Sequence, residues 1–143
     1  MVDVSAKSPT LRTARAAARV RMSPAAREAL QAATLPKGDA FVTAQVAGIL
    51  AAKQTAALIP LCHPLSLDAV DVTFEWDPEG VLVITASART TGSTGVEMEA
   101  MVAASVAALT MYDMTKALDK GIAIEEVCLM EKTGGKSGTW RRK

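Results

Sequence analysis

The sequence predicts an α+β domain in which helices cover one face of an antiparallel sheet. Three observations predict it. Val70, Val72, Phe74 and Trp76 alternate with Asp71, Thr73 and Glu75, the period of two that gives a strand unlike faces. Asp77-Pro78-Glu79-Gly80 then has the residue order of a type I turn, and Val81–Arg89 returns as the partner strand. Finally, Ala100–Met111 is apolar, rich in small residues and free of charge, with Glu97 and Glu99 before it and Asp113 and Lys116 after it. Charges confined to the ends mark a packed helix, because buried charge is costly unless paired.

The remaining elements follow in order. Met1–Thr13 is polar and reads as irregular. In Arg15–Met22, Arg19 and Arg21 alternate with Ala18, Val20 and Met22, a short half-buried strand. Ser23 is placed to cap a helix over Pro24–Ala33, with proline at its first position and Pro36 beyond its end. Lys37-Gly38-Asp39 makes a turn, and Asp39 can cap a second helix over Ala40–Leu58. Val42, Val46, Ile49 and Leu50 form its apolar stripe. Pro60 stops it, and the two prolines of Ile59–Leu67 keep that segment irregular. Thr90–Gly95 reads as a loop in which Thr94 or Gly95 could cap the long helix. Asp119–Gly121 turns the chain, Val127–Lys132 is a last strand, and the basic, glycine-rich tail from Thr133 reads as mobile. Strand, two helices, strand, strand, helix, strand is the split βαβ, ferredoxin-like pattern once the early helices count as one crossover. Residues 1–143 are thus read as a single domain with a flexible N-terminal lead and a glycine-rich C-terminal tail.

Composition narrows the function classes. Half the 143 residues are hydrophobic but only 3% are aromatic, so the core must be built from Ala, Val, Leu, Ile and Met. A net charge of +1 supplies no global field for nucleic acid. Two cysteines are too few for a disulfide framework. There is no run of membrane-spanning length and no signal-peptide core, so a cytoplasmic location is expected. A continuous long helix sets Glu99 and Asp113 about 21 Å apart, too far for one small-molecule site to use both. An antiparallel second copy, packed along Ala103, Ala104, Ser105, Ala107 and Ala108, would bring one end beside the other at a two-fold interface. The competing reading is a core helix with solvated ends.

Several residues admit a chemical reading and a plain one. His63, the only histidine, lies between prolines beside Cys62; it is either a proton-transfer group or a loop histidine bonded to backbone. Cys62, His63 and Cys128 lack the spacing and the fourth ligand of a zinc site, and no metal site is expected. Lys132–Gly138 looks like a phosphate loop, but Met130 stands where a Walker A sequence needs its first glycine; it is either a polyphosphate cradle or a solvated tail. Asp113 and Lys116 share a helix face, as a surface pair or as an acid/base unit in a cleft. Lys37 is equally ambiguous.

Together these segments are specific. KGDAFVTAQVAGILAAKQT, IPLCHPL, TGSTGVEMEAMVAASVAALTMYDMTKALDK and KTGGKSG occur in the order and approximate spacing of one family. The sequence closely resembles the cyclic pyranopterin monophosphate synthases of molybdenum cofactor biosynthesis, from MVDVSAK almost to its end. The resemblance implies a ferredoxin-like enzyme that rearranges 3′,8-cyclised dihydroguanosine triphosphate into cyclic pyranopterin monophosphate and releases pyrophosphate. It implies a hexamer of three dimers with active sites at dimer interfaces, no nucleic acid or membrane partner, and no required cofactor, magnesium accompanying the triphosphate at most. Carried over by motif, the catalytic residues are Asp113, Lys116, Lys37 and His63. The substrate-binding residues are Leu61, Cys62, His63, Glu97, Met98, Glu99 and Lys132. Arg12, Arg15 and Arg19 are left outside this set. The short lead that precedes MVDVS in relatives is absent, with little consequence expected because no assigned residue lies there. The rival expectation is a non-catalytic, oligomeric nucleotide-binding module of the same fold.

Overall fold

The structure is a computed structural model describing residues 1–143. Its elements are β1 (Thr10–Arg21), α1 (Pro24–Gln31), α2 (Ala40–Lys53), α3 (Thr55–Leu58), β2 (Ala69–Trp76), β3 (Leu82–Gly92), α4 (Glu97–Thr115), β4 (Ala123–Thr133) and β5 (Trp140–Arg141). They form one sheet of order β2-β3-β1-β4-β5, with every neighbouring pair antiparallel. The first four strands have the ferredoxin-like order, and β5 is an addition at the edge.

Side-chain parity fixes the central strand. Ala14, Ala16, Ala18 and Val20 of β1 are buried, while Arg15, Arg19 and Arg21 point to the open face. β1 begins at Thr10 and not at Arg15, because β3 and β4 are long enough to pair with its polar start: Thr10 faces Gly92 and Thr13 faces Thr133. The β2–β3 hairpin closes through Gly80, at φ +78°, with the Asp77 carboxylate accepting from the Glu79 and Val81 amides at 3.0 and 2.8 Å.

The α4 helix lies across the sheet, and Ala100, Ala103, Ala104, Ala107, Ala108 and Met111 are fully buried within the chain itself. This corrects the expectation that its small residues pack against a second copy; they are used against β1, β3 and α2. The helix starts at Glu97, with Val96 and neither Thr94 nor Gly95 at the capping position and no side-chain cap; Glu97 instead places negative charge in its first turn, where the helix dipole favours it. Its hydroxyls are satisfied locally, Ser105, Thr110 and Thr115 each donating to the carbonyl four residues back at 2.6–2.8 Å.

The α2 helix also departs from expectation. Its buried face is Ala40, Ala44, Gly48, Ala51 and Ala52, whereas Val42, Val46 and Leu50 are about half exposed. The cause is distance. A Cβ on Gly48 would sit 2.9 Å from the Ala103 carbonyl oxygen, 3.1 Å from Val72 Cγ2 and 3.3 Å from Ala107 Cβ, so only the small-residue face can meet α4. The helix breaks at Gln54, leaving α3 as a separate turn. The tail expected to be mobile makes a turn and returns as β5.

Gly48→Ala gives a test with an unusual sign. Mid-helix Gly→Ala ordinarily stabilises by about 1 kcal/mol. Here the added methyl meets backbone, and overpacking should outweigh that gain, for a net loss of about 1–2 kcal/mol in chemical denaturation.

Candidate functional site

The two ends of α4 carry two different clusters. At its C-terminal end, Lys37 donates to Asp113 Oδ2 at 2.8 Å and to the Asp113 carbonyl oxygen at 3.0 Å. Lys116 Nζ lies 2.7 Å from Asp113 Oδ1. Local structure delivers each group. Lys37 precedes Gly38, whose φ of +93° suits glycine, and Asp39 then caps α2 by accepting from the Val42 amide at 3.0 Å. Asp113 and Lys116 share the last turn of α4. The hydrogen bonds from Lys116 and then from Lys37 pull the Asp113 carboxyl down to about 2, and the same bond raises Lys116. At neutral pH the cluster is one carboxylate between two ammonium groups, and it is open to solvent.

At the N-terminal end, the loop after α3 brings Leu61, Cys62 and His63 to the start of α4, where Glu97, Met98 and Glu99 lie, around a cleft of about 460 Å³. Val2, Val4 and Lys7 form another wall, so the N-terminal segment, to which no site residue was assigned, borders the site. Glu99 is 4% exposed. Burial raises its carboxyl above the ordinary range, and the charge of Glu97 adds to this. The Cys62 thiol is likewise raised, by burial and then by Glu99.

A second cavity of about 630 Å³ continues from the first across Lys7, Thr94, Gly95 and Glu97. It contains Arg12, Lys132 and Lys136, which with Lys7 make four cations. Lys132 reaches Ser137 Oγ at 2.5 Å and Glu97 Oε1 at 3.5 Å. The Glu97 carboxylate folds over Gly95, where an added Cβ would lie 1.9 Å from Oε2. Thus Lys132 is brought to Glu97 although the two are far apart in sequence.

Arg12 and Lys7 were not among the expected site residues, and Lys136 entered only through the Lys132–Gly138 stretch read as a polyphosphate cradle or a solvated tail. Arg12 donates to the Gly92 and Ser93 carbonyl oxygens at 3.2 and 3.4 Å, which holds its guanidinium at the cavity wall. Strand parity carries the missed signal. Arg12 lies on the same side as Ala14–Val20, just beyond the end of the core. Arg15 and Arg19 have the opposite parity: Arg15 lies 3.8 Å from Glu131 on the open face, and Arg19 binds Asp77 at 2.5 Å. A shallow depression of about 390 Å³ on that face, beside Arg15, Asp71 and Arg89, includes none of the expected residues.

The structure therefore joins Lys37, Asp113 and Lys116 in one cluster, and Leu61, Cys62, His63, Glu97, Met98, Glu99 and Lys132 in another. It does not join the two within one chain: α4 is continuous from Glu97 to Thr115, and about 21 Å separates Glu99 from Asp113. No three His, Cys, Asp or Glu side chains gather in a group able to hold a metal ion.

Fold and cleft together define an α+β protein whose cleft, bearing one histidine and two carboxyl groups, opens into a cationic cavity suited to an anionic ligand. The chain belongs to the MoaC family, which matches residues 1–135. It is 58% identical over 145 residues to the cyclic pyranopterin monophosphate synthase of Bacillus velezensis, covering 99% of this chain and 85% of that protein. It is 58% identical over 141 residues to the Nostoc enzyme of the same name, covering 98% and 84%. For the Geobacter metallireducens enzyme the figures are 56% over 143 residues, 99% and 89%.

Glu99 supplies a stability prediction. Because its carboxyl is raised in the folded protein, the stability it contributes is full below the ordinary glutamate range and is lost as pH rises through the raised value. Glu99→Gln, uncharged throughout, should melt higher than the unaltered protein at about pH 8. The difference should vanish near pH 4, where both side chains are neutral.

Proposed function

We propose that this chain converts 3′,8-cyclised dihydroguanosine 5′-triphosphate into cyclic pyranopterin monophosphate with release of pyrophosphate, as the names of its relatives suggest. The observation that carries this reading is the continuity of the two cavities. A cleft with one imidazole and two carboxylates opens, past Glu97, into one with four cations. A guanine-derived ring system suits the first, and a triphosphate suits the second.

The side chains divide the work by chemistry. Rearranging the ring system needs several proton transfers, and His63, Asp113 and Lys116 are groups able to give or take protons. Lys37 holds Asp113 as a carboxylate and brings a second ammonium to the reacting centre. Glu99, protonated more readily than an exposed glutamate, can donate a hydrogen bond to the ring edge, between walls made by Leu61, Cys62 and Met98. In the cyclisation, a sugar hydroxyl loses its proton and attacks the α-phosphorus. The bond to the β-phosphate oxygen breaks, and pyrophosphate departs with that electron pair. Lys132, Arg12, Lys7 and Lys136 are suited to stabilise the charge on that leaving group. Magnesium, where it accompanies the triphosphate, is read as part of the substrate, and no other cofactor is invoked.

If both clusters serve one site, the distance along α4 supports a second copy bringing one chain's Lys37–Asp113–Lys116 cluster to another chain's cleft. We therefore read the protein as a homo-oligomer with composite sites, and take from the family resemblance that the assembly is a hexamer of three dimers. The outward Val42, Val46, Leu50 and Leu109, each at least half exposed, support burial against another copy. No helix is long and apolar enough to cross a membrane, and free thiols at Cys62 and Cys128 suit a reducing compartment; we assign the protein to the cytoplasm, with no nucleic-acid partner.

Pyrophosphate release from the cyclised triphosphate tests the reading. Asp113→Ala, Lys116→Ala and His63→Ala should each lower turnover by about 10²-fold or more. Composite sites add a sharper expectation. His63→Ala and Asp113→Ala chains, inactive separately, should recover about a quarter of full activity after subunit exchange, because each mixed pair contains one intact site. No recovery, once exchange has been demonstrated, would place both residues in one chain's site. Nucleotide binding without release by the unaltered protein would leave only a binding module.

A further inference from the structure

The loop that carries Lys136 and Ser137 is not a free tail. Gly134 and Gly135 adopt φ of +89° and +72°, and each is pressed against the start of β1. A Cβ on Gly134 would lie 2.3 Å from the Leu11 carbonyl oxygen, and one on Gly135 2.1 Å from the Arg12 guanidinium. Within the loop, the Gly138 amide donates to the Gly135 carbonyl at 3.2 Å, and Lys132 reaches Ser137. One side of the loop therefore rests on Arg12, a wall of the cationic cavity.

The other side is held by β5. Trp140 pairs with Lys132, and Arg141 with Glu131. The Arg142 amide donates to the Met130 carbonyl at 2.8 Å, and its guanidinium Nε to the Leu129 carbonyl at 3.0 Å. Arg141 Nη2 lies 3.1 Å from Glu131 Oε1. These contacts run along the outer edge of β4; none of Trp140, Arg141 and Arg142 lines either cavity, and only the pairing of Trp140 with Lys132 involves a residue of the cavity wall. Trp140 and Arg141 are exposed, so the strand adds little to the core; its contacts bear on the loop.

We propose that β5 is a latch: its pairing with β4 holds the Gly134–Thr139 loop in place, so that Lys136 and Lys132 are presented to the polyphosphate before it binds. Arg141 and Arg142 are then positioning residues for the pyrophosphate half of the substrate, acting through the loop and not by contact. This deepens the reading of the cationic cavity as a triphosphate site and rests on it. With the latch absent, the loop must be ordered at the expense of binding, as happens whenever a mobile segment is fixed by its ligand.

The test uses the full-length protein, inorganic pyrophosphate as probe and calorimetry as readout. Arg142→Pro removes both the guanidinium and the amide that donates to the Met130 carbonyl, and so the contacts that hold the chain to β4 just past β5. Deletion of residues 140–143 removes the strand outright. Both should weaken pyrophosphate binding by about tenfold and raise KM for the cyclised triphosphate, with kcat changed less than about threefold. Arg142→Ala, which keeps the amide, should fall between. Thermal melts should shift little. A deletion variant that is folded and binds pyrophosphate within about twofold of the unaltered protein overturns the latch. Should the deletion fail to fold, β5 supports the core, which overturns it as well. Failure of the unaltered protein to bind pyrophosphate overturns the polyphosphate reading itself, a result separate from any variant.

Discussion

The contact on which the rest depends is the approach of α2 to α4. Gly48 faces the backbone of Ala103, and a single methyl group would intrude at 2.9 Å. With so little room, the layer between helices and sheet is rich in alanine: Ala44 and Ala52 from α2, Ala103, Ala104, Ala107 and Ala108 from α4, and Ala14, Ala16, Ala18, Ala86 and Ala88 from the strands, with Val72, Leu82, Ile84 and Met111 filling the space between. Small side chains bury little area each, so cohesion has to come from the number and closeness of contacts. Interiors packed this densely respond to one added methylene as much as to one removed.

Holding α4 straight and tight against the sheet also fixes the layout of the chemistry. Its N-terminal turn presents Glu97 and Glu99 to the loop bearing Cys62 and His63. Its last turn presents Asp113 to Lys37, which comes from the turn before α2. Because α2 is clamped to α4, the Lys37–Asp113 ion pair is a consequence of the same helix contact. The helix thereby supports two unlike electrostatic environments: an exposed carboxylate kept ionised by two ammonium groups, and a buried one pushed toward its neutral form. In the proposed reaction, carboxyl groups so divergent suit a sequence of proton transfers.

Local periodicity made much of this legible. The β2–β3 hairpin, the inward alanines of β1, the Ser23 and Asp39 caps and the uncharged middle of α4 are all patterns within a few residues of one another. What was not legible depended on distant partners. The outward turn of α2 was hidden because a hydrophobic stripe records how apolar each residue is, whereas α4 selects by size, and the alanine side fits where valine and leucine cannot. Strand β5 has no pattern of its own and exists because β4 leaves an edge to pair with. Arg12 was set aside with Arg15 and Arg19, although parity along β1 separates it from both once the strand is known to begin at Thr10. Lys37 and Asp113 were each singled out, but nothing local brings together residues 76 positions apart.

The outward side of α2 links the core to the proposed assembly. Because the α2–α4 contact admits only small residues, the larger aliphatics Val42, Val46 and Leu50 of α2 lie outside, with Leu109 of α4 also exposed. An exposed group of this kind is unfavourable in water and is relieved by association. The α4 helix meanwhile leaves each copy with a cationic cleft at one end and an isolated Lys37–Asp113–Lys116 cluster at the other. In the proposed oligomer, covering these aliphatic side chains and completing a site become the same event. The small-residue packing that stabilises one chain would then also make that chain, by itself, incomplete as a catalyst.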